Sequence, residues 1–439
     1  MSRTGPFWIG TVAVFGTRTL GLFLSAGTTF LLAHTLGPKD LGGYYLLVLV
    51  PSSMLALVSF GLPAAITYAS GRGDDLDRLR TAALALGLGL SLAVVLVLLP
   101  LGSQLGATVL AAAPISLLPV ALIAIPGIFV LSFSNAIILG RQRLRRYNSL
   151  LIGQSAALFI GQLVVVGIVH AGLVGALWTY VGVTSATALL AAISAARLVP
   201  FRSEWDASVA RGLLSFGIRL QPASLAGFFS YRADVFLISF FLRDPAALGV
   251  YSLAVSIAEL CFYIPDAVST VLFPRVAASE RASAATYVPI VARVTLLLTA
   301  AAAIALAIGV AVVFPVVLPA FSASLMPAVI LLPGIVGLSA SKVLSGYLSG
   351  IGRPGPISAV ATASLLVNLI ANLVLIPIIG INGAAAASLI SYSLNGAAMI
   401  VISSRQAGVD IRDMVIIHGS DVTMAWSTIR APRNGESVR

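Results

Sequence analysis

Twelve long apolar stretches, separated by short polar segments, restrict how this chain can fold more than any other feature. They span roughly residues 9–35, 42–69, 81–101, 109–139, 147–170, 172–196, 209–242, 247–274, 288–316, 324–349, 356–379 and 382–403. About 20 apolar residues cross the ~30 Å hydrocarbon layer as a helix, whereas an open sheet edge is not tolerated in lipid. With 59% hydrophobic and 9% charged residues, the sequence predicts an all-α polytopic membrane protein with twelve transmembrane helices.

The chain also repeats itself with an offset of about 201 to 208 residues. The matching segments are 15–18 (FGTR) with 216–219 (FGIR), 41–44 (LGGY) with 248–251 (LGVY), 131–135 (LSFSN) with 338–342 (LSASK), and 172–176 (GLVGA) with 380–384 (GINGA). Each copy holds six predicted helices, an even number, so both copies enter the membrane from the same side. Parallel repeats of this kind form the substrate path at their interface.

This symmetry sets the expected domain organisation. We predict an N-terminal six-helix lobe at 1–200, a C-terminal six-helix lobe at 201–404, a central cavity between them, and a cytoplasmic tail at 405–439. Residues 409–417 of the tail are predicted to form a short amphipathic helix on the membrane surface. Prolines inside the predicted spans remove backbone hydrogen bonds and are expected to kink their helices; they are Pro63, Pro126, Pro222, Pro265 and Pro333.

The net charge of +11 does not indicate a nucleic-acid partner, because the basic residues alternate loop by loop. The loops and termini on one side hold 19 of the 26, namely Arg3, Arg72, Arg78, Arg80, Arg141, Arg143, Arg145, Arg146, Arg197, Arg202, Arg211, Arg275, Arg281, Arg353, Arg405, Arg412, Arg430, Arg433 and Arg439. The opposite loops hold only Lys39 and Arg243, each beside an aspartate. The positive-inside rule therefore predicts that both termini are cytoplasmic.

Arg18 and Arg219 occupy matching places in the two copies, each about ten residues into its span, or about 15 Å deep at 1.5 Å per residue. A guanidinium at this depth is costly and usually faces a polar cavity or a partner. One interpretation is a cationic cavity that receives phosphate through paired, charge-assisted hydrogen bonds. The other is structural, with Arg219 paired to Glu259. For Arg219 the two are evenly balanced; for Arg18, whose half has no acid within its spans, the cavity is favoured.

Five further ionisable residues lie inside the predicted spans: Arg232, Asp234, Glu259, Asp266 and Lys342. Arg232 and Asp234 are two residues apart, point to different helix faces and are not expected to neutralise each other. Arg232 fits either a substrate contact or a side chain that snorkels to the surface. Lys342 fits a cavity-facing role slightly better than an ion pair. Asp234, Glu259 and Asp266 fit counter-ions to the cations, or groups that take up protons during coupled transport.

No hydrolytic or redox site can be assembled from the remaining residues. His34, His170 and His418 are scattered without a second ligand at metal spacing, and Cys261 is the only cysteine. The GIGRPG segment at 350–355 has the letters of a dinucleotide fingerprint but follows a membrane helix instead of a strand. The sequence therefore predicts no catalytic residue, no metal and no cofactor. Asn368 and Asn372, spaced i and i+4, are predicted to form interhelical hydrogen bonds.

Several motifs resemble those of the polysaccharide and lipid-linked oligosaccharide flippases (Wzx-like) of the multidrug, oligosaccharidyl-lipid and polysaccharide exporter superfamily. They are LGPKDLGGY at 36–44, RAD at 232–234, LGVY at 248–251, FPR at 273–275, NLVLIP at 372–377 and GINGAA at 380–385. The resemblance implies a two-lobed transporter of the bacterial inner membrane that moves an undecaprenyl-diphosphate-linked glycan between leaflets by alternating access. Its positively charged cavity would be supplied here by Arg18, Arg219, Arg232 and Lys342.

The resemblance also implies membrane lipid and polysaccharide polymerisation or export machinery as partners. It leaves open the glycan pathway, such as O-antigen or exopolysaccharide, and the energy source, whether a proton, sodium or chloride gradient or product removal. Alternatives are a lipid II flippase, which typically has two additional helices, and a multidrug or cation antiporter, whose cationic drug the arginines would repel. A surface-glycan polymerase or ligase would be expected to have a large external loop, and a membrane scaffold is the remaining alternative.

Overall fold

A computed structural model describes residues 5–73, 75–198, 205–277 and 281–416, excluding the side chains of residues 5–19, 223, 271, 273–275, 277 and 281–286. This part of the chain is helical and has no strand. Its helices are α1 (Gly5–Val58), α2 (Leu62–Arg72), α3 (Leu76–Leu98), α4 (Gly102–Ala107), α5 (Leu118–Gly140), α6 (Leu144–Gln162), α7 (Gly172–Ala196), α8 (Ala207–Leu242), α9 (Pro245–Ala258), α10 (Tyr263–Ala277), α11 (Arg281–Val317), α12 (Leu325–Gly350), α13 (Gly355–Ile379), α14 (Ile381–Ala407) and α15 (Ile411–Val415).

Eleven helical segments of the described chain are long and apolar enough to cross a membrane. The first, Leu20–Val58, has 39 residues and would be about 58 Å long as one helix, nearly twice the hydrocarbon thickness. Its backbone breaks at Gly37 (φ 71°, ψ 174°), next to Pro38, which lacks an amide hydrogen. Divided there, α1 supplies two passes and the total agrees with the twelve predicted. The protein is thus a multi-pass, all-helical membrane protein.

Two of the predicted spans are interrupted at matching positions. In the first copy the helix ends at Val58 and resumes at Leu62, with Phe60 and Gly61 at positive φ before Pro63. In the second copy a 3₁₀ turn at Glu259–Phe262 separates α9 from α10, just before Pro265. Proline explains both breaks, because it cannot donate the i to i−4 hydrogen bond. By contrast, α5, α8 and α12 continue through Pro126, Pro222 and Pro333.

The two six-helix copies touch at one end through a close crossing of α1 and α9. A methyl group on Gly42 would lie 1.9 Å from the carbonyl oxygen of Pro245, and one on Gly249 would lie 1.9 Å from that of Pro38. Only glycine permits such an approach of two backbones. Gly42 and Gly249 are corresponding residues of the repeat, so the crossing is two-fold related.

A second contact between the copies lies at the break between α1 and α2. A methyl group on Gly217 of α8 would lie 2.4 Å from the carbonyl oxygen of Phe60. The Nε2 of Gln221, one turn further along α8, donates to the carbonyl oxygens of Ala56 (2.7 Å) and Leu57 (3.1 Å). The helix break deprives these carbonyls of their usual i+4 partners, and Gln221 supplies replacement donors.

The predicted lobe boundary at residues 200–201 lies outside the described residues, and so does the tail from residue 417. The described part of the tail contains the short helix α15, within the predicted 409–417. Its Met414 is buried, and Arg293 of α11 donates to the carbonyl oxygen of Asp413. The tail helix therefore packs against α11, close to the C-terminal end of α14.

Candidate functional site

A cavity of about 790 Å³ lies between the two copies and is called the central cavity below. One wall is the first limb of α1, from Phe23 to Phe30, together with Tyr45 of the second limb. The other wall comes from α8, α9, the 3₁₀ turn, α10, α11 and α12. The cavity lies at the interface of the repeats, as predicted. Its volume falls in the range of about 300–1,000 Å³ usual for small-molecule sites.

The interruption between α9 and α10 places an acid in the central cavity. Glu259, the first residue of the 3₁₀ turn, accepts two hydrogen bonds from Arg232 of α8, Nη1 to Oε1 at 2.9 Å and Nη2 to Oε2 at 3.1 Å. The planar guanidinium matches the carboxylate in a two-pronged geometry. Both side chains are partly exposed to the cavity, 35% for Arg232 and 25% for Glu259. Arg232 thus lies in the cavity in an ion pair.

A second ion pair lies about two turns further along the chain, in the first turn of α10. The Nζ of Lys342, on α12, is 2.7 Å from Oδ1 of Asp266. The ammonium also lies 4.4 Å from the ring centre of Phe262 and 5.8 Å from that of Tyr231, where the electron-rich faces attract a cation. Lys342 therefore combines the two roles considered from the sequence: it faces the cavity and it forms an ion pair.

Asp234 faces away from the central cavity, although it is two residues from Arg232. It is 4% exposed, accepts a hydrogen bond from the backbone amide of Val235 at 2.8 Å, and accepts another from the hydroxyl of Tyr251. The expectation that Arg232 and Asp234 do not neutralise each other is consistent with these partners, since Arg232 bonds Glu259.

Arg219, unlike Arg232 and Lys342, does not lie beside these groups. Arg219 is exposed on α8, is not among the residues lining the central cavity, and forms no ion pair within the described chain. The pairing of Arg219 with Glu259 considered above is wrong, because Arg232 occupies both carboxylate oxygens. Arg18 lies on the first limb of α1, but its side chain is outside the described residues. A cavity role for these two arginines stays a prediction.

Two lining cations and two lining carboxylates leave the described wall of the central cavity formally neutral. Its uncharged polar groups were not singled out from the sequence. The hydroxyl of Tyr45 donates to Thr29 at 3.4 Å and accepts from Ser256 of α9 at 3.3 Å, which joins the two copies across the cavity. Ser252 and Ser256 are one turn apart on an apolar helix, and this spacing could have identified Ser256 from the sequence.

Polar side chains one turn apart also connect α13 to α14. Asn368 donates to the hydroxyls of Ser391 at 3.1 Å and Ser388 at 3.5 Å, while Asn372 donates to Oδ1 of Asn368 at 3.0 Å. The predicted interhelical hydrogen bonding is confirmed for Asn368, which crosses to the next helix. Asn372 bonds within its own helix. Together they hold the polar interior of the second copy in place.

The chain matches a family model described as "Polysaccharide biosynthesis protein" over residues 31–329. The match begins in the first limb of α1, after the lining residues Phe23 to Phe30, and ends in α12 before Lys342; it contains the other lining residues of the central cavity. No match was found among curated proteins.

Solved structures share the fold at low sequence identity. A lipid II flippase, MurJ, in an inward closed conformation gives a TM-score of 0.73 at 14% identity, over 97% of this chain and 93% of that one. A multidrug resistance MATE family transporter of the MOP superfamily in an inward-facing conformation gives 0.70 at 17% identity, over 88% and 94%. An outward-facing MATE family transporter gives 0.63 at 16% identity, over 91% and 95%. The chain therefore has the fold of MOP superfamily transporters.

Proposed function

This chain belongs to the family of polysaccharide biosynthesis proteins, and from that premise we propose that it is a flippase. Its substrate would be an undecaprenyl-diphosphate-linked oligosaccharide, moved across the bacterial inner membrane by alternating access for surface polysaccharide synthesis. The fold supports this proposal, because two parallel repeats enclosing a central cavity can rock about their interface and expose the cavity to one side at a time. Both termini would be cytoplasmic, as the distribution of basic residues predicts.

The observation that carries the proposal is the pair of cations in the central cavity. A diphosphate needs multiple charge-assisted donors, and the fork of Arg232 and the ammonium of Lys342 offer them from α8 and α12. Both helices belong to the second copy, whereas the opposite wall is formed by the first limb of α1. A headgroup bound to these cations would therefore lie between the two lobes, where rocking changes its access.

The ion pairs provide a means by which the substrate can replace the internal partners of Arg232 and Lys342. Phosphate oxygens arriving at Arg232 or Lys342 would compete with Glu259 and Asp266 for the same hydrogen atoms. Protonation of either carboxylate would have the same effect, because it removes the charge that holds the cation. We therefore propose Glu259 and Asp266 as counter-ions whose protonation couples a proton gradient to substrate binding. Asp234, which lies outside the cavity, has a structural partner in Tyr251.

Arg18 and Arg219 would act earlier on the path. Arg18 lies five residues before Phe23, the first residue of α1 that lines the cavity, on the predicted cytoplasmic side. Arg219 lies 13 residues before Arg232 on α8, about 20 Å away along the helix. We propose that both attract the diphosphate as it enters from the inner leaflet, where cytoplasmic enzymes would assemble the glycan.

The test is flipping of a fluorescent undecaprenyl-diphosphate oligosaccharide in proteoliposomes, with and without a proton gradient. Wild type is compared with Arg232→Gln, Lys342→Gln, Arg18→Gln and Arg219→Gln at equal reconstituted protein. Arg145→Gln is the matched control, because Arg145 is exposed in the first turn of α6. We expect wild type and the control to flip, and Arg232→Gln and Lys342→Gln to lose at least tenfold in rate. Equal flipping by all variants would contradict a role for these cations.

A second candidate is an antiporter of cationic compounds. The specific observation in its favour is the neutral balance of the described cavity wall, since Glu259 and Asp266 could hold a cation if Arg232 and Lys342 turned aside. The same proteoliposomes loaded with a fluorescent organic cation separate the candidates. Efflux of the cation against a proton gradient, with no flipping of the glycolipid, would replace the flippase proposal. A lipid II arm in the flipping assay tests the peptidoglycan alternative.

A further inference from the structure

A second cavity of about 290 Å³ lies wholly inside the second copy and is called the C-lobe pocket below. It is lined by residues of α8, α10, α12, α13 and α14. Twelve of its 16 lining residues carry a hydroxyl, an amide or a charge, which is unusual for the interior of a membrane protein. Polar groups at this depth usually mark a ligand path or a site.

Several of these polar groups have no internal partner. The hydroxyls of Ser269, Ser341, Ser345 and Ser364 form no side-chain hydrogen bond with another described residue. The Oδ1 of Asn395 is buried and accepts no hydrogen bond from the described residues. Serines elsewhere in the helices commonly bond to a carbonyl oxygen one turn earlier, as Ser53 does to Leu49 at 2.7 Å. Buried donors and acceptors without partners are expected to bond something that enters the pocket.

The lining indicates what kind of molecule fits. A lipid tail is excluded, because it would leave the hydroxyls and the amide unsatisfied. A metal cation is disfavoured by the ammonium of Lys342 at the edge of the pocket, and an anion by the carboxylate of Asp266. Tyr231 and Tyr392, whose ring centres are 5.9 Å apart, add aromatic surface beside the hydroxyls. Aromatic faces next to hydroxyl, amide and carboxylate groups suit a neutral, polyhydroxylated ring.

The ion pair of Asp266 and Lys342 lies between the two cavities and lines both of them. A diphosphate in the central cavity that draws Lys342 towards itself would free Asp266, whose carboxylate can accept hydrogen bonds from two neighbouring hydroxyls. A group attached directly to the diphosphate would then reach into the C-lobe pocket. The pocket volume is near the lower end of the ~300–1,000 Å³ range of small-molecule sites, which limits the occupant to about one ring.

We propose that the C-lobe pocket binds the sugar ring attached directly to the lipid diphosphate, and so reads the first sugar of the glycan. This inference rests on the proposed function. It places the recognition of the substrate on one lobe only. Lys342 and Arg232 bind the diphosphate, and Asp266 and the serines of the pocket bind the first sugar. The rest of the glycan extends into the central cavity. A bare lipid diphosphate would leave the pocket empty.

The experiment compares two probes on the full chain in nanodiscs: a short prenyl diphosphate, and the same carrier bearing one hexose. Equilibrium dissociation constants are measured for wild type, Ser364→Leu, Asn395→Leu and Lys342→Gln. Ser364→Leu fills the pocket from α13, and Asn395→Leu removes the unpartnered amide at nearly constant size. The matched control is Ser358→Leu, because Ser358 is exposed on the same helix.

We expect wild type and Ser358→Leu to bind the hexose-bearing carrier about tenfold more tightly than the bare one, the effect of one or two hydrogen bonds. Ser364→Leu and Asn395→Leu should bind both probes with the affinity of the bare carrier, and Lys342→Gln should bind both weakly. Equal binding of the two probes by wild type overturns the sugar site and leaves the flippase proposal standing. If wild type binds neither probe, the flippase proposal fails first. Retention of the hexose preference in both pocket variants also overturns the site.

Discussion

Gly42 and Gly249 pack against each other where α1 crosses α9, and each lies under the carbonyl of the proline four residues before the other. A methyl group at either glycine would be 1.9 Å from that oxygen. The two residues come from corresponding segments of the repeat, LGGY and LGVY, and Leu41 and Leu248 beside them are fully buried. This crossing closes one end of the interface, the end that the charge distribution predicts to face outward.

The first prediction concerns this crossing. Gly42→Ala and Gly249→Ala should push the two helices apart, because backbone oxygens cannot move out of the way as a side chain can. We expect a lower unfolding temperature and a wider separation of the lobes at this end. Spin labels at Val174 and Met326, both exposed at helix starts on this side, measure the separation in a Cys261→Ala background.

The control for the crossing is Gly309→Ala on α11, where a methyl group would meet nothing within 4 Å. In an open helical position alanine is favoured over glycine by about 0.5–1 kcal/mol. The control should therefore keep or raise the unfolding temperature and leave the label distance unchanged. Unchanged distances in the two crossing variants would show that these glycines do not determine the separation of the lobes at this end.

A second prediction concerns Gln221, whose side-chain amide donates hydrogen bonds to the carbonyl oxygens of Ala56 and Leu57. Gln221→Leu keeps the volume but leaves both oxygens without donors in an apolar setting. We expect a loss of about 1–3 kcal/mol in the free energy of unfolding, the cost of an unsatisfied buried polar group. Gln104→Leu, on the exposed face of α4, should change the stability by less than about 0.5 kcal/mol. A loss of similar size in both variants would assign the effect to leucine itself.

A third prediction separates the stability of the Arg232–Glu259 pair from its role in binding. Removing either partner leaves a charge in the cavity wall, so Arg232→Gln and Glu259→Gln should each destabilise the protein. The double variant leaves no charge and should recover part of that loss, with a coupling energy of about 1–3 kcal/mol in the double-mutant cycle. Thermal unfolding in detergent provides the measurement. Strict additivity would mean that the pair is screened by water in the cavity.

The flipping assay should divide these variants differently. Glu259→Gln keeps the Arg232 cation and frees its fork, so diphosphate binding should tighten even though stability falls. The double variant recovers stability but lacks the fork, and it should not flip. If the double variant flips as well as wild type, the guanidinium is structural.

Much of the fold follows from the sequence because lipid permits few alternatives. Twelve apolar segments, the repeat and the alternation of arginines together determine a two-lobed helical protein. Two of the five prolines within the spans, Pro63 and Pro265, lie at interrupted helices, whereas the other three do not. Which charged side chains form ion pairs could not be predicted from composition alone. Helix depth, counted from the predicted outer side, would have helped. Measured along the helices from the turn between α8 and α9, Arg232 is about 15 Å deep, Glu259 about 21 Å and Arg219 about 35 Å. Depth thus favours Arg232 as the partner of Glu259.

The C-lobe pocket shows why other parts of the site were missed. Ser364 and Asn368 are one turn apart on α13, and Ser341 and Ser345 are one turn apart on α12. Each pair marks a polar helix face, but serine on a membrane helix most often bonds its own backbone. Whether such faces meet depends on helix rotation, which the repeat does not determine. Only the structure, in which these polar faces converge, distinguishes a shared pocket from separate serines that bond their own backbone.

The last prediction concerns the ion pair that links the lobes at the other end of the molecule. Asp206 accepts hydrogen bonds from the hydroxyl and the amide of Ser208, at 2.6 and 2.8 Å, and thereby begins α8. Its Oδ2 is also 3.2 Å from Nη1 of Arg78 on α3. Asp206→Asn should keep the helix cap, because asparagine caps as well as aspartate, while removing the ion pair between the lobes. Asp206→Ala should lose both.

The hydrogen bond from the Ser208 hydroxyl, followed by that from its amide, holds the pKa of Asp206 below its ordinary value. A lowered pKa in the folded state favours the charged form, so the contribution is present above the ordinary carboxyl pKa and is lost only as the pH falls through the lowered one. Between about pH 5 and 8 the link should therefore not respond to pH. Spin labels at Leu144, on the first lobe, and Ile411, on the tail helix that packs against α11 of the second lobe, are both exposed. They should report constant distances in wild type across that range. Asp206→Asn should widen the distance distribution without lowering the unfolding temperature as far as Asp206→Ala does. A distribution that widens only in Asp206→Ala would assign the link to the helix cap instead of to Arg78.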